Sequence, residues 1–283
     1  MRRLVFWFVH SVFFASAATA ETELSVSANK KVDISSGVEY SSGNYGGTST
    51  TDIIYIPLTS RYTTGRAGFS LTVPYISVTS TDHSVVPGVG RMGPMMPNLG
   101  GGSSGKGSGM GGKMAGGSSS STQSTQAGLG DIIALAAYDF FIGDKLGMTA
   151  LGGVKFGTAD PNKGLGTGQN DYSAEVDGIY VMNNYSLLGT VGYKIVGKPI
   201  DYTLNDIAYG SLGFSHALED NTRFRLILNG AQSSNQYSSN LLALAAAYSQ
   251  QMSNRLGWSA SLAKGLSDGS PAWDGWLSAY SNF

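Results

Sequence analysis

Ten charged side chains sit at spaced positions in stretches that are otherwise apolar at every second residue: Asp33, Glu39, Arg61, Asp139, Lys155, Glu175, Asp177, Lys194, Arg223 and Arg225. Residues two apart in an extended chain share a face, so Glu175 with Asp177, and Arg223 with Arg225, each turn like charges to one side. Charges taken out of water must be paired or must meet a charged guest. Five cations against five anions therefore predict one of two things: an enclosed interior with a transverse field and little net ion selectivity, or mutual pairing that fills that interior. Arg223 and Arg225, stacked on one face, are the strongest candidates for contact with a guest molecule. The acids do not suit proteolysis, because Glu175 and Asp177 share one stretch close to balancing cations.

Other chemistry is thinner. Beyond the first 20 residues the histidines are His83 and His216. His216 adjoins Ser215, but neighbours in a strand point to opposite faces, so the two cannot form a nucleophile–base dyad. Gly101-Gly102-Ser103-Ser104-Gly105 matches the nucleophile-elbow pattern, yet it lies in a Gly/Ser tract with no strand-to-helix context. Gly100 to Lys106 resembles a phosphate loop until Gly107 stands where Ser or Thr must hold the metal. Met92, Met95, Met96, Met110 and Met114 could in principle hold a soft metal, but they are scattered through an unpatterned tract. No cofactor, no metal and no catalytic residue is expected, and a hydrolase is the weakest reading.

The elements that would position the ten charges show period 2. Val32, Ile34, Val38 and Tyr40 alternate with Asp33, Ser35, Gly37 and Glu39, which describes a strand with one apolar and one polar face. Similar stretches run over 54–62, 69–77, 130–140, 146–156, 172–182, 187–195, 207–214, 223–231, 241–248, 256–262 and 273–283, making twelve. Turns after even-numbered strands are short, as at Thr64-Gly65 and Asn183-Asn184. Those after odd-numbered strands are mostly longer. Alternating short and long connections with an even strand count is the signature of an up-and-down barrel of the bacterial outer membrane. The predicted fold is thus all-β: a closed antiparallel transmembrane barrel of about 12 strands. Its apolar faces, such as Phe69-Leu71-Val73-Tyr75 and Phe224-Leu226-Leu228, should meet lipid. The charged faces should meet the lumen, which spares each charge a cost of about 2–4 kcal/mol at the bilayer midplane.

Both ends of the chain agree with export to that membrane. Residues 1–20 read as a cleaved signal peptide: Arg2 and Arg3, an apolar run from Leu4, and Ala18-Thr19-Ala20 before Glu21. Its removal lowers the 18 basic residues to 16 against 19 acidic, which excludes a nucleic-acid partner. Zero cysteines in an exported chain mean that no disulfide framework supports it. At the other end Trp273, Trp276, Tyr280 and Phe283 are expected at a membrane girdle. The terminal Phe283 would also signal to the barrel-assembly machinery, although Ser281 stands where a companion aromatic is usual. Residues 21–283 form one barrel domain, interrupted at about 84–128 by a Gly/Ser/Met-rich stretch. That stretch has no aromatic residue and too little to bury to offset its ordering entropy, and it is read as a disordered external loop after the third strand.

Three stretches carry a family resemblance: Tyr55-Ile56-Pro57-Leu58 through Leu71-Thr72-Val73-Pro74-Tyr75; Gly128-Leu129-Gly130-Asp131; and Val154-Lys155-Phe156 through Gly164-Leu165-Gly166-Thr167-Gly168-Gln169-Asn170-Asp171-Tyr172. In them the chain resembles the outer-membrane β-barrel family labelled for the meta-pathway of phenol degradation. Its layout covers about residues 32–283. Gly157-Thr158-Ala159-Asp160-Pro161 departs from the family's Pro-Thr-Gly-like turn, and the long insert is a second departure. The resemblance implies a transporter or channel for the passive passage of small, often aromatic or otherwise hydrophobic, solutes. The partners would be outer-membrane lipid and a small-molecule solute. An alternative is a structural or adhesive surface barrel that displays the glycine-rich loop.

Overall fold

The computed structural model describes residues 30–45, 49–81, 85–86, 101–102, 123–199, 204–234 and 239–283. The leader at 1–20, the five methionines named above and most of the 84–128 insert lie outside the described residues.

Alternation along the chain becomes thirteen antiparallel segments: β1 (Lys31–Gly43), β2 (Thr51–Thr64), β3 (Ala67–Ser80), β4 (Ser124–Leu129), β5 (Ile132–Ile142), β6 (Leu146–Phe156), β7 (Asp171–Met182), β8 (Tyr185–Ile195), β9 (Ile207–Glu219), β10 (Thr222–Ala231), β11 (Leu241–Gln251), β12 (Leu256–Gly265) and β13 (Trp273–Asn282). Each pairs with its sequence neighbour. The exception is β4, which pairs with the far half of β3 (Tyr75↔Leu129 to Ser80↔Ser124) while β5 pairs with its near half (Ala67↔Tyr138 to Thr72↔Ile133). β4 and β5 are therefore one strand interrupted at Gly130–Asp131, and the ring has twelve. The interruption has a local cause. Pro74 on β3 offers no N–H to a ladder, and the facing backbone bulges so that Gly130 N donates to Pro74 O at 2.9 Å.

β4 begins at Ser124, inside the stretch expected to be loop. Gln126 and Thr125 extend the ladder of Val78 and Thr79, and Thr79 and Thr125 join through their hydroxyls at 2.9 Å. Hydroxyl pairing across the ladder supplied what apolar periodicity did not. A two-residue ladder joins Val85–Val86 to Gly101–Gly102.

β13 returns to β1 over Asp33↔Asn282 to Ser42↔Trp273. Phe283 N donates to Val32 O at 2.8 Å and Val32 N to Phe283 O at 3.3 Å, so the ring is zipped to its last residue and no edge remains.

One end of the ring carries tight turns. Gly65 (φ 57) and Asn183 (φ 54) take left-handed conformations of the kind that two-residue hairpin turns require. The other end carries the long connections 44–50, 81–123, 157–170, 196–206, 232–240 and 266–272. In outer-membrane barrels these ends face the periplasm and the outside, respectively.

Outward positions are apolar and exposed: Leu58, Phe69, Leu71, Val191, Leu212 and Leu277 among them. On a water-soluble protein such a continuous apolar surface would be an aggregation liability; here it is the band that lipid covers. Inside, large aromatics lie over glycines of the adjacent strand. A Cβ added to Gly257 would stand 2.3 Å from the Tyr280 ring, one at Gly192 would stand 2.3 Å from the Tyr209 ring, and one at Gly37 would stand 2.9 Å from Trp276. Each glycine is thus the socket for a ring that fills part of a wide interior.

Substituting Gly257→Val should force the Tyr280 ring away at a cost of about 1–3 kcal/mol. The expected result is a lower temperature for the loss of the folded, fast-migrating band in gel heat-modifiability assays, with Gly275→Val, where a Cβ meets no atom within 4 Å, nearly unchanged.

Candidate functional site

The long-loop end of the interior is filled, and the side chains that fill it come from connections that bend inward. Ala159 and Leu165, from the β6–β7 connection, are 2% exposed. They pack in one apolar cluster with Ile53 and Tyr55 of β2, Ile76 and Val78 of β3, Trp276 of β13, and Tyr45. Since β6–β7 and β13 lie on different sectors of the ring, this connection reaches across the mouth. Tyr45 arrives from the β1–β2 connection, fully buried, with its hydroxyl 2.7 Å from Ser41 Oγ. Its φ of 48° is a left-handed conformation that costs a non-glycine residue about 1–3 kcal/mol, offset here by burial of the ring. Burial pushes the Tyr45 phenol above its ordinary value, so the group stays neutral. A second cluster joins Val196 and Leu204 of the β8–β9 connection to Ile207 and Tyr209 of β9 and Ala231, Leu241 and Ala243 of β10 and β11.

Between the β4–β5 break and β8 lies a chain of four buried charges. Lys155 Nζ donates to Asp131 Oδ2 at 2.7 Å and approaches Asp171 Oδ2 at 3.3 Å; Lys194 Nζ stands 3.6 Å from the same Asp171 oxygen. The carboxylates also bind loop backbone. Asp131 Oδ1 accepts from Ala159 N at 2.9 Å, and Asp171 Oδ1 accepts from Gly197 N at 2.9 Å. All four side chains are at most 4% exposed. Two carboxylates against two ammoniums leave the set neutral, which is the condition for holding charge away from water.

The ten charges singled out in the sequence lie at inward positions of the strands, at several heights along the barrel axis. Lys155 and Lys194 stand near the long-loop ends of their strands. Glu39, Glu175 and Asp177 occupy the middle; Asp177 accepts from Thr190 Oγ1 at 2.6 Å, and Glu175 hydrogen-bonds Tyr209. Toward the short-turn end are Asp33, opposite Arg61 in register, and Asp139, which accepts from Thr149 Oγ1 at 2.7 Å. Arg223 and Arg225, both nearly fully buried, start β10 at the same end.

Two of the girdle assignments need correction. Trp276 and Tyr280 point inward, at 7% and 3% exposure, and Tyr280 donates its hydroxyl to Gln251 Oε1. Trp273 and Phe283 are on the outer face, at opposite ends of β13; Trp273 lies under Lys264 Nζ at 4.4 Å. At the short-turn end the outer aromatics include a stack of Tyr185 on His216, centroids 4.4 Å apart. Ser215 is buried on the inner side, so the two candidates for a dyad are on opposite faces of the wall.

Asp131, Asp171, Asp274 and Tyr45 were missed as interior residues. Asp131 and Asp171 stand at the margins of their strands, at the β4–β5 break and at the first residue of β7, although they share the odd parity of Asp139 and of Glu175 and Asp177. A signal for them existed nonetheless, because both sit in the stretches that carry the family resemblance. Those stretches converge here: a Cβ on Gly130 would touch Pro74 Cγ at 3.0 Å, one on Gly128 would touch Leu165 Cδ1 at 3.0 Å, and one on Gly166 would touch Asp131 Oδ2 at 3.0 Å.

Fold and interior together define a class: a twelve-stranded barrel of the outer-membrane type, with polar wall residues inside and a mouth folded in upon itself. Among solved structures it resembles an outer membrane channel from Pseudomonas putida F1, with a TM-score of 0.67 and 9% identity over 92% of this chain and 97% of that one. It also resembles the translocator domain of the autotransporter NalP from Neisseria meningitidis, with a TM-score of 0.50 and 11% identity over 91% of this chain and 89% of that one. These likenesses speak to the fold. No family model and no curated protein matches the chain.

Removing one ammonium from the four-charge set leaves two buried carboxylates with one partner. Lys155→Met should therefore cost about 3–5 kcal/mol, read as a lower urea midpoint for the barrel refolded into lipid vesicles. Lys198→Met should change it little, because Lys198 meets Asp206 at 3.8 Å with its side chain 60% exposed.

Proposed function

We infer that the chain is an outer-membrane channel for the passive passage of small hydrophobic or aromatic solutes, exported by cleavage of residues 1–20 and closed at its external mouth in the state described. The observation that carries this is the make-up of the mouth. Inward side chains of the strands there are apolar (Ile53, Tyr55, Ile76, Val78, Ile207, Leu241), and what covers them is loop. With those connections withdrawn, the ring would present an apolar vestibule above a polar, charge-lined barrel. An apolar body would leave water for the vestibule, gaining about 25 cal/mol per Å² of buried surface. The ring of twelve strands is wider than one layer of side chains fills, which leaves room for a narrow path. The resemblance to the phenol-degradation family and the fold shared with a known channel support the same reading. Arg223 and Arg225, at the short-turn end, are its expected solute contacts where the path meets the periplasm.

Planar-bilayer recording with a panel of aromatic and aliphatic solutes tests it. Small, infrequent conductance steps that aromatic solutes reduce are expected, and Arg223→Gln combined with Arg225→Gln should change the step size. A barrel that never conducts and admits no solute would end the reading. One that never conducts yet admits aromatic solutes would move the route to the wall, where the β3–β4–β5 ladder is interrupted at Pro74 and Gly130.

Phe283 would act in assembly: its ring faces outward and its backbone closes the last ladder pair with Val32. Phe283→Ala should lower the amount of assembled, heat-modifiable barrel recovered from outer membranes several-fold while leaving refolding of purified protein in detergent unchanged.

A further inference from the structure

We propose that Asp131 and Lys155 are positioning residues that latch the 157–170 connection into the mouth, and that breaking this latch opens the channel. The inference rests on the channel reading above and adds how that channel is regulated.

Three features single out this connection among those that bend inward. It reaches across the mouth, packing Ala159 and Leu165 in one cluster with side chains of β2 and β3 and with Trp276 of β13. Its polar hold on the wall is gathered at the β4–β5 break, where Thr158 Oγ1 accepts from Ile132 N at 2.9 Å and donates to Gly130 O at 3.2 Å, and where one carboxylate supplies the charge. Asp131 Oδ1 accepts from Ala159 N at 2.9 Å and Oδ2 accepts from Lys155 Nζ at 2.7 Å, while Gly166 lies so close to both oxygens that a Cβ there would stand at 3.0 and 3.1 Å. The carboxylate is thus gripped by the loop on one side and by the wall on the other. Its position adds leverage, for Asp131 sits at the bulge between β4 and β5, where the ladder is already interrupted.

The other half of the charge set is loose. Lys194 Nζ makes no hydrogen bond among the described residues and stands 3.6 Å from Asp171 Oδ2, an oxygen that Lys155 Nζ also approaches at 3.3 Å. A cation held this deep with one distant and shared partner has lost hydration and regained little. Strain of that kind favours a local opening in which water reaches Lys194 and Asp171. What opposes opening is the tight pair Asp131–Lys155 and the apolar packing of Ala159 and Leu165. The network is therefore a closed state with one strong contact and one weak one, and it gives a single loop two positions. Asp160 shapes the loop internally and is not part of the latch: its side chain accepts from Asn162 N and caps the short 3₁₀ turn Pro161–Lys163, so the segment can move as a preformed piece.

Single-channel recording of the mature barrel tests the latch with three proteins. Asp131→Asn keeps an acceptor for Ala159 N and removes the charge. Asp131→Ala removes both. In the third, residues 159–168 are replaced by a short Gly/Ser turn. Open probability should rise about tenfold or more in Asp131→Asn, equivalent to ~1.4 kcal/mol, and further in Asp131→Ala, toward that of the loop-replaced barrel. Amide exchange at Ala159 should accelerate in parallel, while exchange within β9–β12 stays unchanged, a pattern that general destabilisation would not give. A pair of cysteines, Gly128→Cys with Leu165→Cys, bridged by a short thiol cross-linker in the Asp131→Ala background, should return the channel to rare openings. If the loop-replaced barrel conducts while both Asp131 variants gate as the parent does, the latch is wrong and the channel stands. If the loop-replaced barrel is itself silent, the channel reading fails and the latch fails with it. Should the Asp131 variants refold poorly, Lys155→Gln with the same exchange measurement replaces them, and slow exchange at Ala159 in that variant would overturn the proposal.

Discussion

A chain that crosses a bilayer in strands must pair every peptide N–H and C=O within the protein, because hydrocarbon offers no substitute and each unsatisfied group costs several kcal/mol. Closure of the ring is the answer to that requirement, and the arrangement of the rest follows from it. Once β13 meets β1, alternation stops being a choice of faces and becomes a partition. One set of side chains has lipid as solvent, and the other has an enclosed space. Val191 and Leu212 can stay exposed because their surroundings are acyl chains. Lys155 can be buried because it faces the interior, where Asp131 and Asp171 stand beside it, and not the membrane.

Closure also sets a circumference, and twelve strands enclose more than a single shell of side chains occupies. The molecule fills the excess in two ways. Along the wall, bulky rings lie across glycines of the next strand, as Tyr209 does over Gly192. At the long-loop end, connections fold back over the opening and supply the apolar atoms the wall lacks. The second device is the more consequential, since a strand cannot move without breaking its ladder, whereas a connection can. Any part of this barrel that changes position on a functional timescale is expected among the connections, the low-stability elements of the structure.

Much of this was legible in the residues themselves, because a two-residue repeat survives translation into a pleated strand without distortion. Strand number, direction of connections and the face of all ten charges come from that repeat. Where reading failed, the repeat had stopped or had not been applied. Asp131 and Asp171 occupy a bulge and a strand start, yet they keep the odd parity of Asp139 and of Glu175 and Asp177, so the repeat reached them and had not been applied. Tyr45 sits in a connection, where no periodicity speaks and an unusual backbone angle decides the direction. Trp276 and Tyr280 are different: counted back from Phe283 they fall at odd offsets of seven and three, so their inward orientation was available from the same parity rule that placed Trp273 outside. Grouping four aromatics by composition concealed it. Alternation fixes which side of the wall a residue is on but not its height, because height depends on register.

The pairing of the first strand with the last has a consequence for how the molecule comes into being. Residues 32 and 283 are some of the most distant in sequence among the described residues, yet their ladder is what completes the ring. Contacts of such long sequence separation make folding slow. Until the final residues have been delivered, β1 presents an unpaired, partly apolar margin to whatever surrounds it. The order of synthesis thus leaves the seam between β1 and β13 as the last one that can close, and both of its margins stay open to unwanted pairing until then.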